Sequence, residues 1–169
     1  VLLVTGAAGS IGSEIIRQAS LCKVKKIILV DNCETTLNDL VIQLDEASNF
    51  TNTKIISYVR DVRFKYQIED IFKKHSIDLV IHAAAYKHVP VVENDPIIGC
   101  HNNIIGTKIL TDLSKKYEIE NFILISTDKA VRATSFMGAS KRISERICLN
   151  SNKYNHFTKF TCVRFGNVF

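Results

Sequence analysis

Short apolar runs recur along the chain, separated by longer stretches in which apolar and polar positions interleave. The runs predict strands over Leu2–Thr5, Lys26–Asp31, Lys54–Val59, Leu79–Ala83, Phe122–Ser126 and Lys159–Phe165. In Ile27-Ile28-Leu29-Val30 and Phe122-Ile123-Leu124-Ile125 every position is apolar. Strands buried on both faces look like this, as in a parallel sheet covered by helices. The interleaved stretches predict helices over Ile11–Ser20, Thr35–Ala47, Lys65–His75, Pro96–Tyr117 and Met137–Ser151. The fourth is the clearest: Asp95 suits an N-cap, Pro96 a first helical residue, and Ile97, Ile98, Ile104, Ile105, Ile109 and Leu113 keep to one face. Gly106 inside it weakens the helix by roughly 1 kcal/mol, which suits close approach to the sheet or a ligand. Asn49–Thr53 reads as a polar turn, and no repeat, low-complexity tract or linker interrupts the alternation. Strand, helix, strand in this order predicts a doubly wound α/β domain, three layers thick, with right-handed crossovers.

Composition narrows the class. With 169 residues, 46% hydrophobic and 23% charged, the chain suits one globular domain with a sizeable core. No apolar run reaches the ~18 residues of a membrane helix. The chain opens on Val1-Leu2-Leu3-Val4-Thr5, strand-like from the start and without a signal peptide, and Phe169 closes it just after another strand-like run. Both ends suggest a piece of a longer protein. Net charge is +5, but the lysines are scattered, which argues against nucleic acid and favours a lysine-rich surface over a dedicated anion site. The five cysteines (Cys22, Cys33, Cys100, Cys148, Cys162) show no CxxC or metal-ligand spacing, as expected of free thiols in a reducing cytoplasm.

Candidate chemistry lies between the elements. Gly6-Ala7-Ala8-Gly9-Ser10-Ile11-Gly12 follows the first strand and opens the first helix. Glycines there allow a tight turn and close backbone approach to a pyrophosphate, while the helix start offers free N–H groups. Asp31 ends the second strand, 19 residues after Gly12. A carboxylate at that place accepts the adenosine ribose hydroxyls and repels a 2′-phosphate, favouring NAD over NADP; a plain helix cap is the other reading. Asp61-Val62, after the third strand, would lie near the adenine. After the fourth strand, His82-Ala83-Ala84-Ala85-Tyr86-Lys87-His88 brings small residues close to a cofactor. His82 and His88 lack the acidic or cysteine partners of a metal site. Tyr86, Lys87 and His88 face substrate or form loop surface. Ser126-Thr127-Asp128-Lys129 and Met137-Gly138-Ala139-Ser140-Lys141 then set a hydroxyl, a carboxyl and two amines around the fifth strand and last helix.

Taken together, Thr5–Gly12, Asp31-Asn32, His82–Pro90, Asn102–Thr107, Ser126–Val131, Met137–Arg142 and Val163–Val168 resemble the extended short-chain dehydrogenase/reductase superfamily. Within it they are similar to the UDP-N-acetylglucosamine 4,6-dehydratases of bacterial capsule, O-antigen and protein-glycan biosynthesis, in the branch with methionine at the position of Met137. The resemblance implies bound NAD, a UDP-sugar substrate and a homo-oligomer. It also implies a substrate lobe following Asn167-Val168, and membrane helices before the catalytic domain in a full-length, cytoplasm-facing protein. Cofactor contacts would come from Gly6, Gly9, Ser10, Ile11, Gly12, Asp31, Asp61, Val62, Ala83, Ala84 and Lys141. Substrate contacts would come from Tyr86, Lys87, Asn103 and Asn167.

By the same resemblance Lys129 is the base at sugar carbon 5, Asp128 the acid on the 6-hydroxyl and Thr127 the partner of the 4-oxygen. Lys141 orients the nicotinamide ribose. A base near neutral pH needs a lysine below its usual ~10.4, and burial beside Lys141 and the oxidised nicotinamide is expected to achieve that for Lys129. A desolvated site would keep Asp128 protonated. Met137 carries no dissociable proton, so Tyr86, Asp128 or a water held by Thr127 must help remove the 4-hydroxyl proton. Arg164 is a last candidate, or a strand-end charge. The alternatives are a nucleotide-sugar epimerase or reductase on the same fold, and a non-catalytic NAD-binding module.

Overall fold

The computed structural model describes residues 1–22, 24–47, 53–154 and 156–166. Six parallel strands form one sheet in the order β3-β2-β1-β4-β5-β6: β1 (Leu2–Thr5), β2 (Lys26–Asp31), β3 (Lys54–Val59), β4 (Leu79–His82), β5 (Asn121–Thr127) and β6 (Lys159–Phe165). Helices α1 (Ser10–Ser20) and α2 (Glu34–Glu46) cover one face. On the other face lie α3 (Lys65–Lys74), α6 (Gly106–Lys116) and α7 (Phe136–Asn150).

Alternation along β1 and β2 explains the two cores. Leu2, Val4, Ile27 and Leu29 pack with Ile16, Leu37, Leu40 and Leu44, while Leu3, Ile28 and Val30 pack with Ile68, Ile71, Leu110 and Leu113. Each buried large side chain is worth roughly 1.5–3 kcal/mol, so the all-apolar strands tie both helix layers to one sheet. Strand order reverses between β1 and β4, where the chain leaves β3 to cross the sheet. That opens a crevice at the carboxyl edge, the usual ligand position in such sheets.

The helix expected over Pro96–Tyr117 is interrupted. α5 (Pro96–Cys100) passes into a π-helical turn at His101–Ile105 before α6 begins. The turn brings two consecutive polar residues inward, since Asn102 and Asn103 are both buried. Gly106 follows it, where an added Cβ would meet Val62 Cγ2 at 2.8 Å. A short helix, α4 (Val89–Asn94), precedes α5 and had no counterpart among the expected elements. Of the turn expected at Asn49–Thr53, only Thr53 lies within the described residues. Among the described residues, no helix is long and apolar enough to cross a membrane.

Candidate active site

The first crevice is built from backbone. Gly6 leaves β1 with φ +67°, and a Cβ on it would meet the Ala84 nitrogen at 2.5 Å. On Gly12 a Cβ would fall 2.1 Å from the Gly6 oxygen. Glycine is required at both, at Gly6 by backbone conformation and at both by lack of space. The Gly9 N–H bonds the Gly6 oxygen at 3.1 Å, closing the loop. Gly9 brings no side chain to cap α1. The first helical N–H groups therefore have no intrahelical acceptor and carry the positive end of the helix dipole. This cradle fits a pyrophosphate.

Asp31 stands at the crevice with both oxygens held: Oδ2 accepts the Ala8 N–H at 3.0 Å and Oδ1 the Cys33 N–H at 3.1 Å. Each oxygen keeps a lone pair for a ligand hydroxyl. Asp61 and Val62 line the same crevice. Burial would raise the Asp61 carboxyl, but the Arg63 guanidinium and backbone N–H outweigh it and hold it below the usual carboxylate range. Asn102, carried in by the π turn, also lines this crevice, a placement the sequence pattern did not reveal.

His82 ends β4 and is buried. Thr107 Oγ1 donates to the Asn103 oxygen at 2.6 Å, so it accepts from His82 Nε2 at 3.1 Å. Nδ1 is then left to accept from Thr5 Oγ1 at 2.7 Å. Burial, with the Lys141 charge adding to it, lowers the imidazole to about 3, so it stays neutral. Both ring nitrogens are engaged in this chain. His88 is exposed and sits at the start of α4.

A second cavity, of about 410 Å³, joins the first through Ala83, Ala85 and Tyr86. Ser10, Ile11, Tyr86 and Lys87 line one side; Ser126, Thr127, Lys129, Met137 and Lys141 line the other. Lys87 Nζ reaches the Ser10 hydroxyl at 3.1 Å, bridging the cavity to the glycine loop. Thr127 caps the short turn Asp128–Ala130: its Oγ1 accepts the Lys129 N–H at 3.4 Å and donates to Asp128 Oδ1 at 3.0 Å. Ser135 caps α7, accepting the Gly138 N–H at 3.1 Å, and Glu93 of α4 accepts the Phe136 N–H at 2.7 Å. These bonds pin the start of the helix that carries Met137 and Lys141.

Burial falls on a different lysine from the one expected. Lys141 is 6% exposed and donates to the Ile125 oxygen at 2.6 Å. Desolvation lowers its amine to about 8, against the pull of Glu145 one turn later. Asp128 and Lys129 are exposed, because their turn forms the open rim of the cavity; Asp128 does not line its wall. The desolvation expected to tune both groups is absent from this chain's own packing.

Asn103 is also placed differently. Its Oδ1 accepts the Tyr86 N–H at 2.8 Å, and its Nδ2 donates to the Tyr86 oxygen at 3.1 Å and the Ser140 hydroxyl at 2.9 Å. At 1% exposure it ties the Tyr86 loop to α7 rather than facing a ligand. Arg164 forms a two-pronged pair with buried Glu145, 2.8 Å on each arm, which holds that carboxyl below its usual range. It secures β6 to α7 beside Phe165 and Gly166, which line the cavity. Asn167 lies outside the described residues.

Comparison with known proteins agrees with this architecture. The chain is 41% identical over 167 residues to a capsular polysaccharide biosynthesis protein, CapD, of Staphylococcus aureus, covering 99% of this chain and 28% of that protein. It is 32% identical over 170 residues to an inverting UDP-N-acetylglucosamine 4,6-dehydratase of Campylobacter jejuni, covering 99% of this chain and 48% of that one. The chain thus spans between a quarter and a half of the length of these relatives. The crystal structure of the UDP-glucose 4-epimerase of Thermotoga maritima, with UDP-glucose, superposes with a TM-score of 0.81 at 26% identity, over 99% of this chain and 56% of that one. The model of the polysaccharide biosynthesis protein family matches residues 2–169, and the chain belongs to that family.

Proposed function

We propose that this chain is the NAD-binding part of a nucleotide-sugar 4,6-dehydratase, acting on UDP-N-acetylglucosamine for bacterial polysaccharide or glycan synthesis. The observation that carries the reading is the Thr127-Asp128-Lys129 turn on the rim of a cavity whose wall contains Lys141 and whose far side reaches the glycine loop. The kinship with a UDP-N-acetylglucosamine 4,6-dehydratase supports it.

The residues of the first crevice fit NAD. Gly6, Gly9 and the Ser10–Gly12 N–H groups would hold its pyrophosphate, Asp31 its adenosine ribose, Val62 and Asp61 the surroundings of the adenine. Ala83 and Ala84 would let it pass. Bound there, the oxidised cofactor would take hydride from sugar carbon 4 and return it to carbon 6. The protein must supply one base, one acid and orientation. Lys141 would hydrogen-bond the nicotinamide ribose while keeping its bond to the Ile125 oxygen. Lys129 would take the carbon 5 proton, once acidified by the ketone at carbon 4, and Asp128 would protonate the departing 6-hydroxyl. Tyr86 and Lys87 would face the UDP-sugar. Because Asp128 and Lys129 lie at the rim, bound substrate and the remainder of the protein would desolvate them. The domain would work in the cytoplasm as part of a longer, homo-oligomeric protein.

Deuterium uptake at carbon 5 in heavy water, measured on the full-length protein, tests the assignment. Uptake should vanish in Lys129→Ala, and unchanged uptake would rule Lys129 out as the base. An epimerase, the activity named for the Thermotoga structure, is the second reading. It has no need of the adjacent acid and amine of Asp128 and Lys129.

A further inference from the structure

The last helix and the last strand meet through two thiols that the cavity chemistry does not use. Cys148 is fully buried on α7, and Cys162 is half-buried on β6. Both pack in the core of the α7 face together with Leu124, which lies beside Cys162 across the β5–β6 pairing. Their contacts run crosswise. Cys148 Sγ donates to the oxygen of Thr161, the neighbour of Cys162, at 3.7 Å. Cys162 Sγ donates to the oxygen of Glu145, one turn before Cys148, at 3.9 Å. Each sulfur therefore lies against the backbone of the other's element, and the two are within hydrogen-bond reach of one another. When Cys162 ionises, the Cys148 hydrogen turns to it. That bond, helped by the charges of Lys141 and Arg164, holds Cys162 below the usual thiol range despite its burial and the carboxylate of Glu145. The same bond, and burial after it, push Cys148 up. The thiolate is the reactive form of cysteine, and an accessible, acidic thiol beside a second sulfur is the arrangement that oxidises reversibly.

We infer that Cys162 and Cys148 form a peroxide-sensitive dithiol, in which Cys162 is oxidised first, Cys148 resolves it, and the resulting disulfide ties β6 to α7 behind the second cavity. The oxidant is hydrogen peroxide. The Cys162 sulfur attacks one peroxide oxygen, the O–O bond breaks, and the departing hydroxide takes the proton that Cys162 gave up and leaves as water. Cys162 is then a sulfenic acid. The Cys148 sulfur attacks the Cys162 sulfur, the S–O bond breaks, and hydroxide leaves as water with the Cys148 hydrogen. Two thiols and one peroxide become one disulfide and two waters, the sulfurs losing the two electrons that the peroxide gains. Position gives the bridge its consequence. Lys141, Glu145 and Cys148 succeed one another at helical spacing and share a face of α7. Cys162 and Arg164 share a face of β6. The disulfide would sit beside the Arg164–Glu145 pair and fix the two elements that bring Met137, Lys141 and Phe165 to the cavity wall. It also closes a loop in the unfolded chain, whose lost freedom favours the native state. The pair is independent of the reaction proposed for the cavity.

The test treats the freshly reduced full-length protein with hydrogen peroxide and maps its peptides by mass spectrometry without reduction. A Cys148–Cys162 cross-link should appear with the loss of two free thiols, and dithiothreitol should restore both. Oxidation confined to other cysteines, such as exposed Cys22 and Cys33, with Cys148 and Cys162 left as thiols, would overturn the pair. Dimedone, which traps sulfenic acid, reads the order of events. Cys148→Ala should accumulate the adduct on Cys162, because the resolving sulfur is gone, and Cys162→Ser should give none on Cys148. An adduct on Cys148 in Cys162→Ser would overturn the assigned order. Urea unfolding reads the consequence. Peroxide should raise the midpoint of the wild type and leave that of Cys162→Ser unmoved. A cross-link that forms only in the unfolded protein, or that lowers the midpoint, would overturn the native pairing. The wild-type cross-link and its midpoint need no variant, so the inference stands or falls even where Cys148→Ala fails to fold.

Discussion

The loop after β1 and the turn after β5 occupy equivalent places at the carboxyl edge of one sheet, yet they are built by opposite means. Around Gly6 the close contacts are backbone, with no room for a side chain on Gly6 or Gly12, and the carboxylate beside the loop, Asp31, is fixed by two N–H groups. Around Thr127 the chemistry is in side chains, and they divide sharply by burial: Lys141 inside, Asp128 and Lys129 on the rim. A pyrophosphate needs fixed N–H groups, which a rigid loop provides before the ligand arrives. Proton transfer needs groups that change charge, and the packing of this chain leaves two of them at the rim for substrate to cover. The lesson is that the two halves should fail differently when altered.

The largest effect is expected in the rigid half. Gly12→Ala puts a carbon 2.1 Å from the Gly6 oxygen. The loop must shift, at about 1–3 kcal/mol in stability, and calorimetry should detect no dinucleotide binding. In the exposed half, Lys129→Met should leave urea stability within about 0.5 kcal/mol, as for other surface changes. It should nevertheless cut carbon 5 exchange by about 10²–10⁴-fold. A destabilised Lys129→Met with normal exchange would erase the distinction between the two regions.

The buried groups sharpen the contrast through pH. His82 titrates at about 3 in the native protein against 6.5 ordinarily. The unfolded chain therefore binds the extra proton first as pH falls, and stability declines below pH 6.5. By about pH 5 the loss should be roughly 2 kcal/mol, read as the difference in urea unfolding between wild type and His82→Gln. Lys141 runs the other way. Its native value of about 8 lies below the usual 10.5, so the unfolded chain holds more protons between those values and stability climbs as pH rises through that window. Relative to Lys141→Met the climb should total on the order of 3 kcal/mol or less. The smallest effect belongs to the link between the halves of the edge: Glu93→Ala removes the acceptor of the Phe136 N–H and should cost about 1 kcal/mol, like the loss of a helix cap.

What could be read in advance follows the same division. The six strands stood out because runs such as Ile27–Val30 must be apolar on both faces to be covered on both sides. The glycine loop stood out because no other residue fits at Gly6 or Gly12. The π turn at His101–Ile105 did not, since it depends on two asparagines being drawn inward by distant partners: Tyr86 and Ser140 for Asn103, the crevice for Asn102. Asn103 has the residue type of a ligand contact, and only the fold shows that its amide is already used. Nor does Ser126-Thr127-Asp128-Lys129 say which of two lysines is buried. Lys129 follows a strand whose end meets open space, while Lys141 points back from α7 to the Ile125 oxygen beneath it. Local pattern records residue type and period; the direction in which a loop opens is a property of the whole sheet edge.

On the proposed function, the rim turn and the glycine crevice would together carry out a dehydration. Mass and NMR analysis of the product that the full-length protein forms from UDP-N-acetylglucosamine in heavy water tests it most directly. A 4-keto-6-deoxy sugar, short by one water and carrying deuterium at carbon 5, is the predicted result. An epimer of unchanged composition, or consumption of reduced cofactor with no loss of water, would contradict it.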